Sequence, residues 1–278
     1  MLVNLRQIMK DAYTNKYALG SFNGYNLETF KGIIEASQEK NSPVIVAFGA
    51  KYLDNMSLVT AHAIVESIAN EVDIPVCLHL DHCSDMDVVF KAIANGFGSV
   101  MYDGSNLTFE ENLQNTKLVC KVAHASGVSV EAELGSLAAG LESHEGSAGD
   151  KEVYTDPLAA KEFVVETNVD CLAVSIGTVH GLYKGTPKIR IDILKEINEL
   201  VGIPLVLHGG SGTPEEDLQA CIQNGISKIN VNTEISNNVI KETIENLEDK
   251  KPHYSVLSLK QTDAVKNVVK KYIDIYRG

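Results

Sequence analysis

The chain has 278 residues, a length that a single α/β barrel domain fills, and 44% of them are hydrophobic, enough for a large core. Its 24 basic residues against 37 acidic ones leave a net charge of −13, which argues against nucleic acid and anionic membranes as partners. Five cysteines without metal or disulfide spacing, the absence of a leader pattern, and no apolar run near ~18 residues predict a cytoplasmic protein with free thiols and no membrane span.

Apolar, strand-like runs alternate with longer amphipathic stretches. In chain order the runs are YALGSF (17–22), PVIVAF (43–48), PVCLHL (75–80), GSVMYD (98–103), VSVEAE (128–133), CLAVSI (171–176), PLVLHG (204–209) and KINVN (228–232). Helical patterns follow them near 27–40, 57–72, 85–95, 108–126, 157–167, 190–201, 214–224 and 233–247, with a last one at about 261–276. Eight runs, each followed by a helix, predict one domain over 1–278: a closed (β/α)8 TIM barrel with an extra C-terminal helix. Asp156-Pro157 and Thr213-Pro214 read as helix starts, a capping residue before proline. Asn95-Gly96 and Asn224-Gly225 read as helix ends. Between the fifth run and its helix, residues 134–155 (LGSLAAGLESHEGSAGDKEVYT) are too long for an ordinary barrel connection. Such a loop is a functional lid or a disordered segment.

A barrel of this kind carries its chemistry at the C-terminal ends of its strands. The third run ends in Asp81-His82, the fourth in Asp103 and the fifth in Glu131 and Glu133. The sixth runs out to His180, the seventh ends in His208, and the eighth in Asn230, Asn232 and Glu234. His82, His180 and His208 fall at one mouth. Three neutral imidazoles with an open position suit a catalytic zinc; the other reading is three polar residues around a substrate. Asp81 is an acid/base candidate or a support for His82. Glu133 faces the mouth or is structural, and Glu131 lies deeper on the same face. His79 shares a strand face with Asp81 and reads as a packed core histidine. The remaining histidines (62, 124, 144 and 253) read as surface or helix-packing residues. GGSGT (209–213), before a helix start, and NVNT (230–233) stand after the seventh and eighth runs, where barrels often bind phosphate through backbone N–H groups. Gly181 and Lys184 follow His180.

The motifs LHLDHC, VSVEAELG, GTVHGLYKG, LVLHGGSG and KINVNTE, in this order at strand ends, resemble the class II, zinc-dependent fructose-bisphosphate and tagatose-bisphosphate aldolases. The resemblance runs from about residue 3 to 245. It implies cleavage of a ketose 1,6-bisphosphate to dihydroxyacetone phosphate and glyceraldehyde 3-phosphate, by a homodimer or homotetramer. It implies that His82, His180 and His208 hold Zn2+ with Glu133 close by, and that Asp81 handles the proton of the C4 hydroxyl. It assigns the phosphate of dihydroxyacetone phosphate to Gly181, Lys184, Gly209, Gly210, Ser211 and the turn Asn230, Val231, Asn232 and Thr233, with a monovalent cation (Na+ or K+) nearby. Asn23 matches a residue near the dihydroxyacetone unit.

Three positions depart from the family pattern. The glutamate that protonates the enediolate falls on Leu141 in this alignment of the loop, so Glu142, next to it, takes the role. Gly49 stands where the family often has serine or threonine near the distal phosphate, and Leu259 or Lys260 where it has arginine. The same chemistry on a ketose phosphate without a distal phosphate, such as a phosphorylated deoxy-ketogluconate, is therefore the alternative. A metal-independent isomerase or epimerase using Asp81 and Glu133, and a non-catalytic chaperone-like subunit, are the readings from other classes.

Overall fold

A computed structural model of the chain describes residues 1–143, 152–183, 185, 187–249 and 251–277. Lys184, His144 and most of the glycine-rich part of the long loop lie outside the described residues. The strands are β1 (Leu19–Asn23), β2 (Val44–Gly49), β3 (Val76–Cys83), β4 (Ser99–Tyr102), β5 (Ser129–Leu134), β6 (Ala138–Ala139), β7 (Cys171–Val174), β8 (Val179–His180), β9 (Leu205–Leu207) and β10 (Ile226–Val231). The helices are α1 (Leu5–Asn15), α2 (Leu27–Glu39), α3 (Leu58–Ala69), α4 (Met86–Ala94), α5 (Phe109–Ala125), α6 (Pro157–Thr167), α7 (Ile191–Val201), α8 (Glu215–Gln223), α9 (Thr233–Asp249) and α10 (Tyr254–Arg277).

Eight parallel strands close into a barrel in the order β1-β10-β9-β7-β5-β4-β3-β2, and the short β6 and β8 pair with each other outside it. The eight predicted runs are these eight barrel strands. Strand alternation gives each strand an outer face packed under helices and an inner face turned to the axis. Leu19, Ile45, Cys77, Cys171 and Val206 form an apolar inner layer. Two residues on along three of these strands stand the buried polar residues Ser21, His79 and His208, and two residues after Ser21 and His79 come Asn23 and Asp81.

The helix α1 was not legible as part of the βα alternation, because it precedes the first strand. Asn4 starts it with a capping box: its side chain accepts from the Gln7 amide, and the Gln7 side chain accepts from the Asn4 amide. Leu5, Ile8, Met9 and Ala12, spaced as one helical face, pack against the apolar inner layer. The helix thereby stops the N-terminal end of the barrel, and each large side chain buried this way contributes roughly 1.5–3 kcal/mol.

Several predicted boundaries held. Asp156 caps α6 by accepting from the Ala159 amide, with Pro157 in the first turn. Asn95 and Asn224 end α4 and α8, each followed by a glycine with positive φ. Thr213 does not cap α8: Pro214 is the residue before the helix, and the Thr213 hydroxyl donates instead to the Gly209 carbonyl. The last helix begins at Tyr254, about two turns earlier than the sequence pattern indicates.

Candidate active site

Strict alternation would leave His82 on the outer face of β3, because Asp81 points inward. The pairing of β3 with β4 shifts register between Leu80 and Cys83, and His82 adopts φ +45°. A bulge of this kind re-aims a side chain. Asp81 and His82, adjacent in sequence, therefore both reach the mouth.

There His82 meets His180 and His208, with ring centroids 5.0 Å and 4.4 Å away, while His180 and His208 are 5.9 Å apart. One nitrogen from each of the three lies within 4.8 Å of the others. Nε2 of His82 and Nε2 of His180 are buried without a hydrogen-bond partner. The other nitrogen of His82, Nδ1, is 2.9 Å from Asp103 Oδ2, and Asp103 is itself held by the amide and hydroxyl of Ser105. His208 Nε2 is 3.0 Å from Glu131 Oε1. Buried imidazole nitrogens left unpaired, with carboxylates orienting the rings from behind, are the donor set a zinc ion takes. The residues present fit that metal.

Electrostatics support neutral ligands at two of the three positions. Burial, reinforced by His82, lowers His180 well below the usual imidazole range, and the same causes lower His208. Burial opposes charge on His82 too, but Asp81, Asp103 and Glu133 together raise it well above that range. Glu133 is 2% exposed, and its Oε2 is unpaired and 3.9 Å from His82 Nδ1. Burial, then the neighbouring Asp103, raises its carboxyl well above the ordinary value. Asp81 moves the other way: burial is outweighed by His82, Lys228 and His208, which hold it low. Neighbouring carboxyls with opposed shifts are a mark of divided acid and base roles.

Asp81 is gripped at both oxygens. Asn23 Nδ2 donates to Oδ2 at 2.9 Å, and Asn230 Nδ2 donates to Oδ1 at 3.0 Å. Asn23 and Asn230, expected beside the dihydroxyacetone unit and the phosphate, are here tied to the acid/base candidate. Behind them sits Lys228, fully buried and bonded to Glu131 and Asn230. Sequence reasoning passed over Lys228. The signal was present, since a lysine within the apolar strand ISKINV must be paired if it is buried. His79 is fully buried, with Nδ1 2.9 Å from Ser99 Oγ, and burial lowers it to about 4. It is a neutral packed histidine, as its position on the strand indicated.

The two glycine and asparagine turns are side by side. The Gly210 amide donates to the Asn230 carbonyl at 2.9 Å, and Ser211 Oγ accepts from the Glu234 amide at the start of α9. Ser211, Asn232 and Thr233 are buried. The Val231 side chain packs into the outer core, so only its backbone can serve a ligand. Gly181 has φ +97°, and a Cβ there would lie 2.4 Å from the Leu141 carbonyl oxygen. That contact exists because 138–141 pairs with 179–182: β6 lies along β8, and Leu141 bridges Leu182. The start of the long loop thus lies against the segment carrying His180.

Glu142 is exposed, with φ +55°, and its Oε2 accepts from Asn237 of α9 at 2.5 Å. Gly49 pairs in register with Asp81, and a Cβ on it would lie 3.1 Å from the Tyr52 ring. Lys260 and Leu259 are exposed on α10.

The comparisons agree with this geometry. The family model described as "Fructose-bisphosphate aldolase class-II" matches residues 3–278. A fructose-bisphosphate aldolase from Staphylococcus epidermidis is 42% identical over 256 residues, covering 89% of this chain and 88% of that protein. One from Geobacillus stearothermophilus is 44% identical over 238 residues, covering 84% and 81%. Among solved structures, the YdjI aldolase of Escherichia coli K12 superposes with a TM-score of 0.88 at 35% identity, over 99% of this chain and 97% of that one. A closed parallel barrel, three imidazoles at its mouth and these matches along nearly the whole chain lead to one conclusion: the protein belongs to the class-II fructose-bisphosphate aldolase family.

Proposed function

We propose that this chain reversibly cleaves fructose 1,6-bisphosphate to dihydroxyacetone phosphate and glyceraldehyde 3-phosphate, using zinc held by His82, His180 and His208. The observation that carries the reading is the pair of buried, unpartnered Nε2 atoms on His82 and His180, beside His208 and next to a gripped Asp81. Bound there, zinc supplies Lewis-acid stabilisation for the negative charge that develops at the ketose carbonyl.

The chain's own residues do the rest. Asp81, held ionised, takes the C4 hydroxyl proton as the C3–C4 bond breaks and the aldehyde forms. The electrons of that bond pass to C3, and Glu142 returns a proton to that carbon after leaving Asn237. Glu133 stands by His82 at the metal. Backbone N–H groups of Gly181, Gly209 and the 230–233 turn, with Ser211 Oγ and Lys184, take the phosphate, with Na+ or K+ as counter-ion, while Gly210, its amide held by the Asn230 carbonyl, keeps the two turns together. In this reading residues 1–278 act as one domain, in a cytoplasmic homodimer or homotetramer.

One observation favours a second substrate reading. Gly49, in register with Asp81, offers no hydroxyl to a distal phosphate, and the Tyr52 ring lies against it. A ketose 1-phosphate without the second phosphate suits such an end. Measuring kcat/KM on fructose 1,6-bisphosphate, tagatose 1,6-bisphosphate and a ketose 1-phosphate separates the readings. The first requires the fructose bisphosphate to be the preferred substrate.

A further inference from the structure

We propose that Lys228 is a positioning residue that sets both His208, which holds the metal, and Asp81, which moves the proton, by fixing the one residue between it and each of them. The inference rests on the aldolase reading and extends it into the barrel interior.

The Lys228 ammonium has three protons and three close acceptor oxygens. It is 2.8 Å from Glu131 Oε2, 3.1 Å from Glu131 Oε1 and 2.7 Å from Asn230 Oδ1. All of these groups are buried. On one side, Glu131 passes the constraint to His208, whose Nε2 it meets at 3.0 Å. With Nε2 engaged, Nδ1 is the nitrogen turned towards the metal position, where Asn230 Nδ2 also lies 3.3 Å from it, so the carboxylate and the amide together set ring orientation and tautomer.

On the other side the constraint passes through an amide. An asparagine side chain can turn over and exchange its oxygen for its nitrogen. Lysine has no acceptor, so it tolerates only Oδ1 of Asn230 facing it. The Asn230 Nδ2 must then face Asp81 Oδ1, where it donates at 3.0 Å. The reversed amide would set oxygen against carboxylate oxygen. With Asn23 on the other oxygen, Asp81 has one orientation at the mouth. One ammonium therefore determines the aim of two groups that it does not touch.

A purely structural role is the competing account, in which Lys228 only neutralises Glu131. The two accounts differ in the variant Glu131→Gln/Lys228→Met, which removes both charges and keeps the volume. Charge compensation alone predicts wild-type behaviour. Positioning predicts a folded protein with zinc affinity, read by competition with a chromophoric chelator, weakened roughly 10- to 100-fold. Its kcat on fructose 1,6-bisphosphate falls by a similar factor while KM changes little. Asn230→Leu keeps the Lys228–Glu131 pair but removes the amide beside Asp81 and His208 Nδ1, so it should lose kcat while zinc affinity weakens less than in the double variant. Added to Lys228→Met, it should cost no further kcat, because the two act in series. Wild-type zinc affinity and kcat in Glu131→Gln/Lys228→Met overturn the proposal. So does a strictly additive effect of Asn230→Leu. The zinc titration needs no substrate, so it decides the His208 half even if the wild-type protein proves inactive on fructose 1,6-bisphosphate. That inactivity would count against the substrate reading instead.

Discussion

Asn230 and Asp81 stand 149 positions apart in the chain and 3.0 Å apart at the barrel mouth. The first donates its amide to the carboxylate of the second, and Asn23 completes the grip from the other side. Two neutral donors fix this carboxylate, while His82, Lys228 and His208 nearby outweigh burial and keep it ionised. The arrangement suits a group that must accept a proton and give it back.

The first prediction follows from that role. Asp81→Asn keeps the shape, but it turns one of the two accepting oxygens into a donor and cannot take the proton. Its kcat should fall about 10²- to 10⁴-fold, the usual worth of general base catalysis, while bound zinc stays at the wild-type level. Steady-state kinetics and metal analysis on the same preparation check this. If zinc disappears along with activity, Asp81 serves only to support His82.

The second concerns the strap between the long loop and the metal segment. At Gly181, φ +97° and the Leu141 carbonyl oxygen 2.4 Å from a would-be Cβ leave no room for a side chain. Gly181→Ala should part 138–141 from 179–182 and lower stability by about 1–3 kcal/mol, the cost of forcing such a backbone position. Because His180 is the adjacent residue, kcat should fall as well. Urea unfolding followed at one wavelength, with kinetics alongside, tests both. A variant with unchanged stability and activity would mean that the strap does not matter.

A third prediction concerns the thiols. All five cysteines are free and buried. Burial pushes Cys83 up to about 11 and Cys120 and Cys221 up to about 12, and it raises Cys77 and Cys171 well above the usual thiol range. The thiolate is the reactive form, so a raised value means little of it at pH 8. A chromogenic disulfide reagent should therefore react slowly with native protein at pH 8 and with all five thiols once it is denatured. Rapid reaction of the native protein would contradict the packing described here.

Much of this was legible in the sequence, and the limits have physical causes. The eight barrel strands announce themselves because both of their faces are buried, which makes them continuous apolar runs between caps such as Asp156-Pro157. The imidazoles could be placed because strand ends of a barrel converge, whatever their separation in sequence. His82 illustrates the limit: its inward aim depends on a bulge that strict alternation does not foresee. The helix α1 was missed because it plugs the barrel rather than following a strand. Lys228 was missed because a charged residue inside an apolar strand makes sense only with its partners, and Glu131 lies 97 positions away. Thr213 looked like a helix cap, but its hydroxyl is used by the Gly209 carbonyl.

In the proposed function the three imidazoles hold the metal on which aldol cleavage depends. The most direct test strips the protein with a chelator and follows cleavage of fructose 1,6-bisphosphate, by trapping dihydroxyacetone phosphate, as zinc is added back. Stripped protein should be inactive, zinc should restore cleavage in stoichiometric amount, and His180→Ala should neither bind the metal nor recover. Full activity in the stripped protein would contradict that function.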